Sequence, residues 1–211
     1  MRQFFDIIAK TLSVLLYPLF IPTYGIAIFC YAYSHAVPIS AIWMIIAICG
    51  TFLLTAVLPI TAIWLLMRRG KVKDLYIDDA HERTLPYFYS AIGFVFWSYL
   101  LNAVLHAPLS LCCVAIGGTI AIALVTLINH WWKISAHLTG IGGFIGGLLS
   151  YYLGIGVFPS WALIGPWLLL SLLLMYARLH LNAHTPAQVC SGWLLGIACT
   201  FLPYCIYNYV A

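Results

Sequence analysis

The sequence predicts an all-α fold, a polytopic transmembrane helical bundle of six to seven spans. Two observations lead to this prediction. Of the 211 residues, 64% are hydrophobic and only 7% are charged, whereas soluble domains carry about 25% charged residues. The apolar residues also form long runs, and a helix needs about 20 of them to cross the hydrocarbon core of a bilayer. We therefore expect residues 1–211 to form a single transmembrane domain.

Short polar or proline-containing breaks divide the chain into seven candidate spans. The first ten residues are mildly amphipathic, which is typical of an interfacial segment. Pro18 and Pro22 are expected to kink the span that follows. The expected spans are residues 11–33, 39–67, 87–105, 109–129, 136–153, 161–176 and 186–209. The fifth span is rich in glycine, which favours close helix packing in membranes.

The charged residues all fall on one side of this seven-span topology. The nine Lys and Arg residues and the five acidic residues lie in the N-terminal segment or in the breaks after spans two, four and six. Because cytoplasmic loops are enriched in Lys and Arg, we expect this side to face the cytoplasm. The chain is thus expected to be an integral protein of a bacterial inner membrane, with the membrane and not nucleic acid as its partner.

Metal-ligating patterns are sparse in the sequence. The seven cysteines are scattered through apolar runs without a Cys-x-x-Cys pair, so we interpret them as small buried residues. The loop after span two leaves two interpretations open. Its acidic residues could hold Mg²⁺ on a diphosphate, or they could simply balance the basic residues of a solvated loop. They are Asp74, Asp78, Asp79 and Glu82.

Three helix starts on the charged side carry side chains suited to an anion. Arg83 precedes the third span, for which Thr84 is the expected N-cap. Lys133, Ser135 and His137 surround the start of the fifth span. Free N–H groups at a helix N-terminus favour negative charge, so three such starts on one membrane face predict a converging anion site.

The last of these junctions is the most specific in sequence. Thr185-Pro186-Ala187-Gln188 has the pattern of a capping box, with Thr as the N-cap and Gln at the third helical position. This places His184 just before a helix N-terminus. Arg178, at the end of the preceding helix, can fold back as a bidentate phosphate donor. His180 either lines the same site or lies at the interface.

Taken together, the junctions resemble the three motifs of the type 2 phosphatidic acid phosphatase superfamily. Arg178, His184 and Gln188 have the spacing of its third motif, which is Ser-Arg, five residues, His, three residues, Asp. Ile134-Ser135-Ala136-His137 resembles the second motif, Pro-Ser-Gly-His, and Arg83 near Pro86 resembles a loosened first motif. The resemblance covers about residues 83–192 and implies a phosphatase-like core of about residues 84–208.

The resemblance implies a membrane-embedded phosphatase or phosphotransferase that acts on a lipid phosphate or a prenyl phosphate or diphosphate. His184 would attack phosphorus and form a phosphohistidine, and His137 would protonate the leaving oxygen. Four further residues would hold the phosphate oxygens, namely Arg83, Arg178, Lys133 and Ser135. This chemistry requires no metal ion and no other cofactor.

Gln188 stands where the family has Asp. Its amide oxygen can accept a hydrogen bond from His184, but it cannot stabilise an imidazolium by charge. Loss of such a carboxylate costs about 10⁴-fold in a catalytic triad. The Lys of the first motif is also missing, since Ile77 lies six residues before Arg83.

The alternative is therefore a degenerate relative that binds phosphorylated lipid, or supports another membrane protein, without hydrolysis. The third hypothesis is a transporter of a small molecule or a lipid. It ranks last, because the sequence places every charged residue on one side of the membrane and so offers no polar path across it.

Overall fold

The computed structural model describes residues 2–35, 37–72, 83–156 and 161–210. All regular secondary structure in this part of the chain is helical, as the sequence predicts. Eight helices follow one another: α1 (Arg2–Leu15), α2 (Ile21–Ser34), α3 (Ala41–Arg68), α4 (Thr84–Val104), α5 (Leu109–Ile128), α6 (Ala136–Gly154), α7 (Trp161–His180) and α8 (Pro186–Val210). The helices α3 and α4 each contain a five-residue π-helical stretch.

Five helices of the described chain are long and apolar enough to cross a membrane, namely α3, α4, α5, α7 and α8. The predicted membrane helical bundle is thus confirmed, and the protein has the architecture of an integral membrane protein. The predicted count of six to seven spans is not confirmed by the described residues. The helix α6 has 19 residues but is diluted by glycine and polar side chains, and α2 has only 14 residues.

The expected first span, residues 11–33, is two helices rather than one kinked helix. The helix α1 ends at Leu15 and α2 begins at Ile21. Pro18 lies between them, has no N–H to donate, and disfavours helical geometry in the residue before it. The chain can therefore change direction at this point.

The helix α1 is amphipathic along its whole length, beyond the ten residues expected from the sequence. Phe4, Ile7 and Leu15 are each more than half exposed, whereas Ala9 and Ser13 are buried. Its buried face packs against α7. This arrangement is typical of a helix that lies at a membrane interface and covers part of a bundle.

A threonine of α3 holds the break between α1 and α2 in place. The Thr55 hydroxyl lies 3.2 Å from the backbone oxygen of Leu19 and 2.9 Å from that of Thr51. The hydroxyl hydrogen is thus shared between α3 and the residue after Pro18. This contact supports the segment that closes one side of the candidate site described below.

The helices α6 and α8 pack backbone against backbone. A Cβ atom at Gly142 of α6 would overlap the backbone oxygen of Trp193 in α8, so only glycine allows this approach. The close crossing also joins the starts of the two helices. The Ser135 backbone N–H donates to the backbone oxygen of Gln188 over 3.3 Å.

We expect Gly142→Ala to destabilise the protein by about 1 to 3 kcal/mol, the usual cost of overpacking. The matched control is Gly165→Ala in α7, because a Cβ atom at Gly165 meets nothing within 4 Å. That control should be neutral, or stabilising by about 0.5 to 1 kcal/mol. Thermal unfolding of the two detergent-solubilised variants checks the difference. Equal unfolding temperatures would contradict the close crossing of α6 and α8.

Candidate active site

The starts of α4, α6 and α8 meet at one end of the bundle. Arg83 immediately precedes α4, Ser135 is the N-cap of α6, and His184 lies two residues before α8. The Nδ1 atom of His184 lies 3.2 Å from the backbone oxygen of Lys133. Together with the bond between Ser135 and Gln188, this contact ties the second and third junctions to each other.

A small polar pocket of about 40 Å³ lies where the three junctions meet. A water molecule needs about 10 to 15 Å³ of such space, so the pocket has room for a group of a few non-hydrogen atoms. Its lining consists of Tyr17, Pro18, Arg83, Tyr87, Ala136, His137, Arg178 and His184. Four residues predicted from the sequence are therefore brought together in one pocket: Arg83, Arg178, His137 and His184.

The charged side chains among these lining residues are the two arginines. Arg83 is 4% exposed and Arg178 is 6% exposed. A hydrogen bond joins Arg83 to the phenol of Tyr87, and Arg178 Nη1 donates to the Ser13 hydroxyl over 3.3 Å. Planar guanidinium groups are well suited to bind phosphate oxygens, and exclusion of water strengthens that attraction.

The hydrogen bonds of His184 determine which ring nitrogen carries its proton. Nδ1 lies 3.2 Å from the backbone oxygen of Lys133 and 3.3 Å from Oε1 of Gln188. Both partners are acceptors, so we assign the proton to Nδ1. The lone pair is then on Nε2, and this nitrogen can act as a nucleophile.

The surroundings of His184 keep its ring neutral. Burial, followed by the positive charges of Arg178 and Arg83, holds the pKa of His184 well below its usual range, although the carbonyl of Lys133 acts in the opposite direction. The imidazolium form is therefore disfavoured at neutral pH. A neutral imidazole is the form that attacks an electrophile.

Gln188 serves two structural roles at once. The Thr185 backbone N–H donates to Gln188 Oε1 over 3.0 Å, and the Gln188 backbone N–H donates to the Thr185 hydroxyl over 3.4 Å. The predicted capping box is thus confirmed. The same Oε1 atom is the acceptor for His184, so the cap of α8 also orients this ring.

His137 is held by the end of α1. Its Nε2 atom lies 3.1 Å from the backbone oxygen of Ser13. Its ring also contacts the ring of Tyr17 edge to face, with 5.5 Å between centroids. Because the Ser13 oxygen can only accept, we assign a proton to Nε2, which leaves Nδ1 as the nitrogen available for proton transfer.

Two of the predicted phosphate ligands have other roles. Ser135 is fully buried, and its hydroxyl accepts the backbone N–H of Leu138 as the N-cap of α6. Lys133 contributes its backbone oxygen to His184. Neither residue is part of the pocket lining in the described chain, so direct contact of Lys133 and Ser135 with phosphate stays a prediction. The hydroxyl of Ser135 is engaged by the helix start, and the sequence pattern does not distinguish capping from ligand binding.

Two further expectations change in the structure. Thr84 was the expected N-cap of α4, but the N-cap position belongs to Arg83, without a side-chain cap. His180, which could have lined the site, instead contacts the carboxylate of Asp6 at 2.7 Å. The acidic residues considered for Mg²⁺ lie outside the described residues: Asp74, Asp78, Asp79 and Glu82.

The sequence analysis missed part of the lining. Tyr87 follows Arg83 by four residues, a spacing that brings side chains together on a helix, so it could have been anticipated. Tyr17 and Pro18 belong to a stretch that reads as an ordinary apolar span. Nothing local in the sequence indicates that the Tyr17 ring packs on His137 or that Pro18 lines the same pocket.

A large apolar cavity adjoins the polar pocket. It encloses about 610 Å³ and shares Tyr17, Pro18, Tyr87 and Ala136 with the pocket. From there it follows α6 to Tyr152, a distance of about 24 Å at 1.5 Å per helical residue. A cationic, histidine-containing pocket thus lies next to an apolar space that extends along the bundle, and four residues line both.

No family model, curated protein or solved structure matches the chain.

Proposed function

We propose that the protein is a membrane-embedded phosphatase or phosphotransferase for a lipid phosphate or a prenyl phosphate or diphosphate. The observation that supports this most directly is that the two spaces lie side by side and share four lining residues. The polar pocket contains Arg83, Arg178, His137 and His184, and the apolar cavity begins at its wall. A phosphorylated lipid matches both spaces, because its phosphate is anionic and its tail is apolar.

The first step is transfer of the phosphoryl group to His184. Arg83 and Arg178 hold the non-bridging oxygens, and the lone pair on His184 Nε2 attacks phosphorus. The N–P bond forms as the bond between phosphorus and the leaving oxygen breaks. Burial and the charge of Arg178 hold the pKa of His137 well below its usual range, and the negative charge of a bound phosphate acts in the opposite direction and favours protonation of the ring. Protonated His137 donates the Nδ1 proton to that oxygen, so the leaving group departs as an alcohol.

The second step returns His184 to its starting state. Neutral His137 accepts a proton on Nδ1 from a water molecule, or from an acceptor alcohol, whose oxygen attacks phosphorus. The N–P bond breaks, and phosphate or the new phosphoester is released. Fixed guanidinium groups stabilise the charge that shifts during both steps.

The proposed orientation places this site at the cytoplasmic face of a bacterial inner membrane. The polar pocket lies beside the junctions that carry Arg83, Lys133 and Arg178, and the positive-inside rule assigns such junctions to the cytoplasm. The lipid tail would then extend from the cytoplasmic face toward the opposite leaflet, inside the apolar cavity.

Phosphate release from alkyl phosphates of increasing chain length tests the proposal. Burial of each methylene contributes about 0.8 kcal/mol, so kcat/KM should rise by up to about fourfold per methylene until the cavity is filled. A cavity-filling variant supplies the control. A Cβ atom at Gly25 has only ordinary contacts with Phe144, and Gly25→Leu should flatten the chain-length dependence while preserving turnover of short esters. Equal kcat/KM for short and long chains in the unaltered protein would contradict a lipid substrate.

Binding without hydrolysis is the second candidate function. It is favoured by the amide of Gln188, which orients His184 but supplies no negative charge. This candidate predicts saturable binding of alkyl phosphates without phosphate release and without modification of His184.

A further inference from the structure

The C-terminal end of α1 forms a wall of the candidate active site that the phosphatase motifs do not include. Tyr17 and Pro18 line the pocket, and Ser13 is only 2% exposed. Asp6 and Ser13 are two helical turns apart and so share the face of α1 that packs on α7. At the other end of this face, Asp6 contacts His180 at 2.7 Å, which fixes α1 along α7.

The backbone carbonyl of Ser13 is available to a side chain because α1 ends two residues later, at Leu15. The Tyr17 N–H would bond to Ser13 in a continued helix, but it donates to the backbone oxygen of Val14 over 3.2 Å. Pro18 has no N–H to offer. The ring of His137 uses the Ser13 oxygen, at 3.1 Å from Nε2, while Tyr17 packs against the same ring.

We propose that Ser13 is a positioning residue for phosphoryl transfer, an inference that rests on the proposed function. Its carbonyl holds the Nε2–H of His137, so that Nδ1 is the nitrogen that delivers the proton to the leaving oxygen. Burial and the charge of Arg178 lower the pKa of His137, and the Ser13 carbonyl acts in the opposite direction to raise it. Ser13 also orients Arg178, one of the two arginines proposed to hold the phosphate, because the Ser13 hydroxyl accepts a hydrogen bond from Arg178 Nη1 at 3.3 Å.

An ester in the backbone tests the role of the carbonyl. Replacing Val14 by its α-hydroxy acid analogue turns the bond between residues 13 and 14 into an ester and weakens the Ser13 oxygen as an acceptor. General acid catalysis contributes about 10²- to 10⁴-fold, so kcat/KM for an alkyl phosphate, which reports the steps up to release of the alcohol, should fall by about 10- to 100-fold. The kcat/KM for the p-nitrophenyl ester should change by less than about twofold, because nitrophenolate leaves without a proton.

The matched control is the same ester exchange at Ile8, which also removes one helical N–H but lies on the exposed side of α1. It should leave the ratio of the two rates unchanged. An equal loss on both substrates in the Val14 ester, or no loss on either, would overturn the proposal.

Nitrogen-15 NMR of histidine-labelled protein provides a readout that does not depend on turnover. His137 should carry its proton on Nε2 in the unaltered protein and lose this preference in the Val14 ester. Absence of the Nε2–H tautomer in the unaltered protein would refute the positioning role even if the protein hydrolyses phosphoesters. If neither ester is hydrolysed, the proposed function fails, and with it the positioning role.

The hydroxyl of Ser13 is tested by Ser13→Ala. A hydrogen bond to a charged group contributes about 1.5 to 3 kcal/mol, so KM for the alkyl phosphate should rise about tenfold or more. Ser13→Thr retains the hydroxyl and should restore most of the loss, whereas Thr11→Ala, on the exposed side of α1, should have no effect. Identical kinetics of Ser13→Ala and Thr11→Ala would refute the alignment of Arg178 by Ser13.

Discussion

Replacement of His184 by alanine is expected to reduce phosphate release from the best alkyl phosphate by about 10⁴-fold or more, the order of loss seen when a catalytic nucleophile is removed. The physical reason is that Nε2 of His184 has its lone pair free while Nδ1 is engaged by Lys133 and Gln188.

His130→Ala is the matched control for this loss. His130 is an exposed histidine in the same break of the chain as Lys133, so its removal should leave the rate within about twofold. Both variants should bind inorganic phosphate, because Arg83 and Arg178 are unchanged. Equal rates for His184→Ala and the unaltered protein would rule out His184 as the nucleophile.

Gln188→Glu is expected to increase the rate of phosphoryl transfer. The carboxylate retains the length of the side chain and can accept from Thr185 and His184 as Oε1 of Gln188 does. It would add a negative charge beside a ring that becomes cationic when phosphorus is attached. Because the opposite exchange in a catalytic triad costs about 10⁴-fold, we expect a gain of at least about tenfold in kcat.

The control for this gain is Gln188→Ala, which removes the acceptor and the reciprocal cap together. It should slow the reaction and cost about 1 kcal/mol of helix stability. Stopped-flow measurement of the first turnover separates the chemical step from product release. A Glu variant no faster than the unaltered protein in that first turnover would show that charge beside His184 does not limit the reaction.

Local sequence information predicted the features that depend on neighbouring residues. The capping box at Thr185 needs only a spacing of three residues, and the pairing of Gln188 with His184 follows from it. The break near Pro18 was anticipated as a kink, since the missing N–H acts locally. The apolar composition was sufficient to predict a membrane helical bundle.

Features that depend on distant contacts were not predictable in this way. Ser13 and His137 are 124 residues apart, and no periodicity links them. Ser135 illustrates a related ambiguity, because its hydroxyl matches a phosphate-binding motif and also caps α6. A polar residue at a helix start has both possibilities, and only the position of its side chain decides between them.

Exchange of oxygen between inorganic phosphate and water tests the central proposal, His184 as a phosphorylated nucleophile, without requiring the lipid tail to be known. Attack of His184 on ¹⁸O-labelled phosphate forms the N–P bond and releases one labelled water. Attack by unlabelled water then returns phosphate with one ¹⁸O fewer. We predict progressive loss of ¹⁸O in the unaltered protein and in His130→Ala, and none in His184→Ala. Absence of exchange in unaltered protein that binds phosphate, or exchange that persists in His184→Ala, would contradict the proposal.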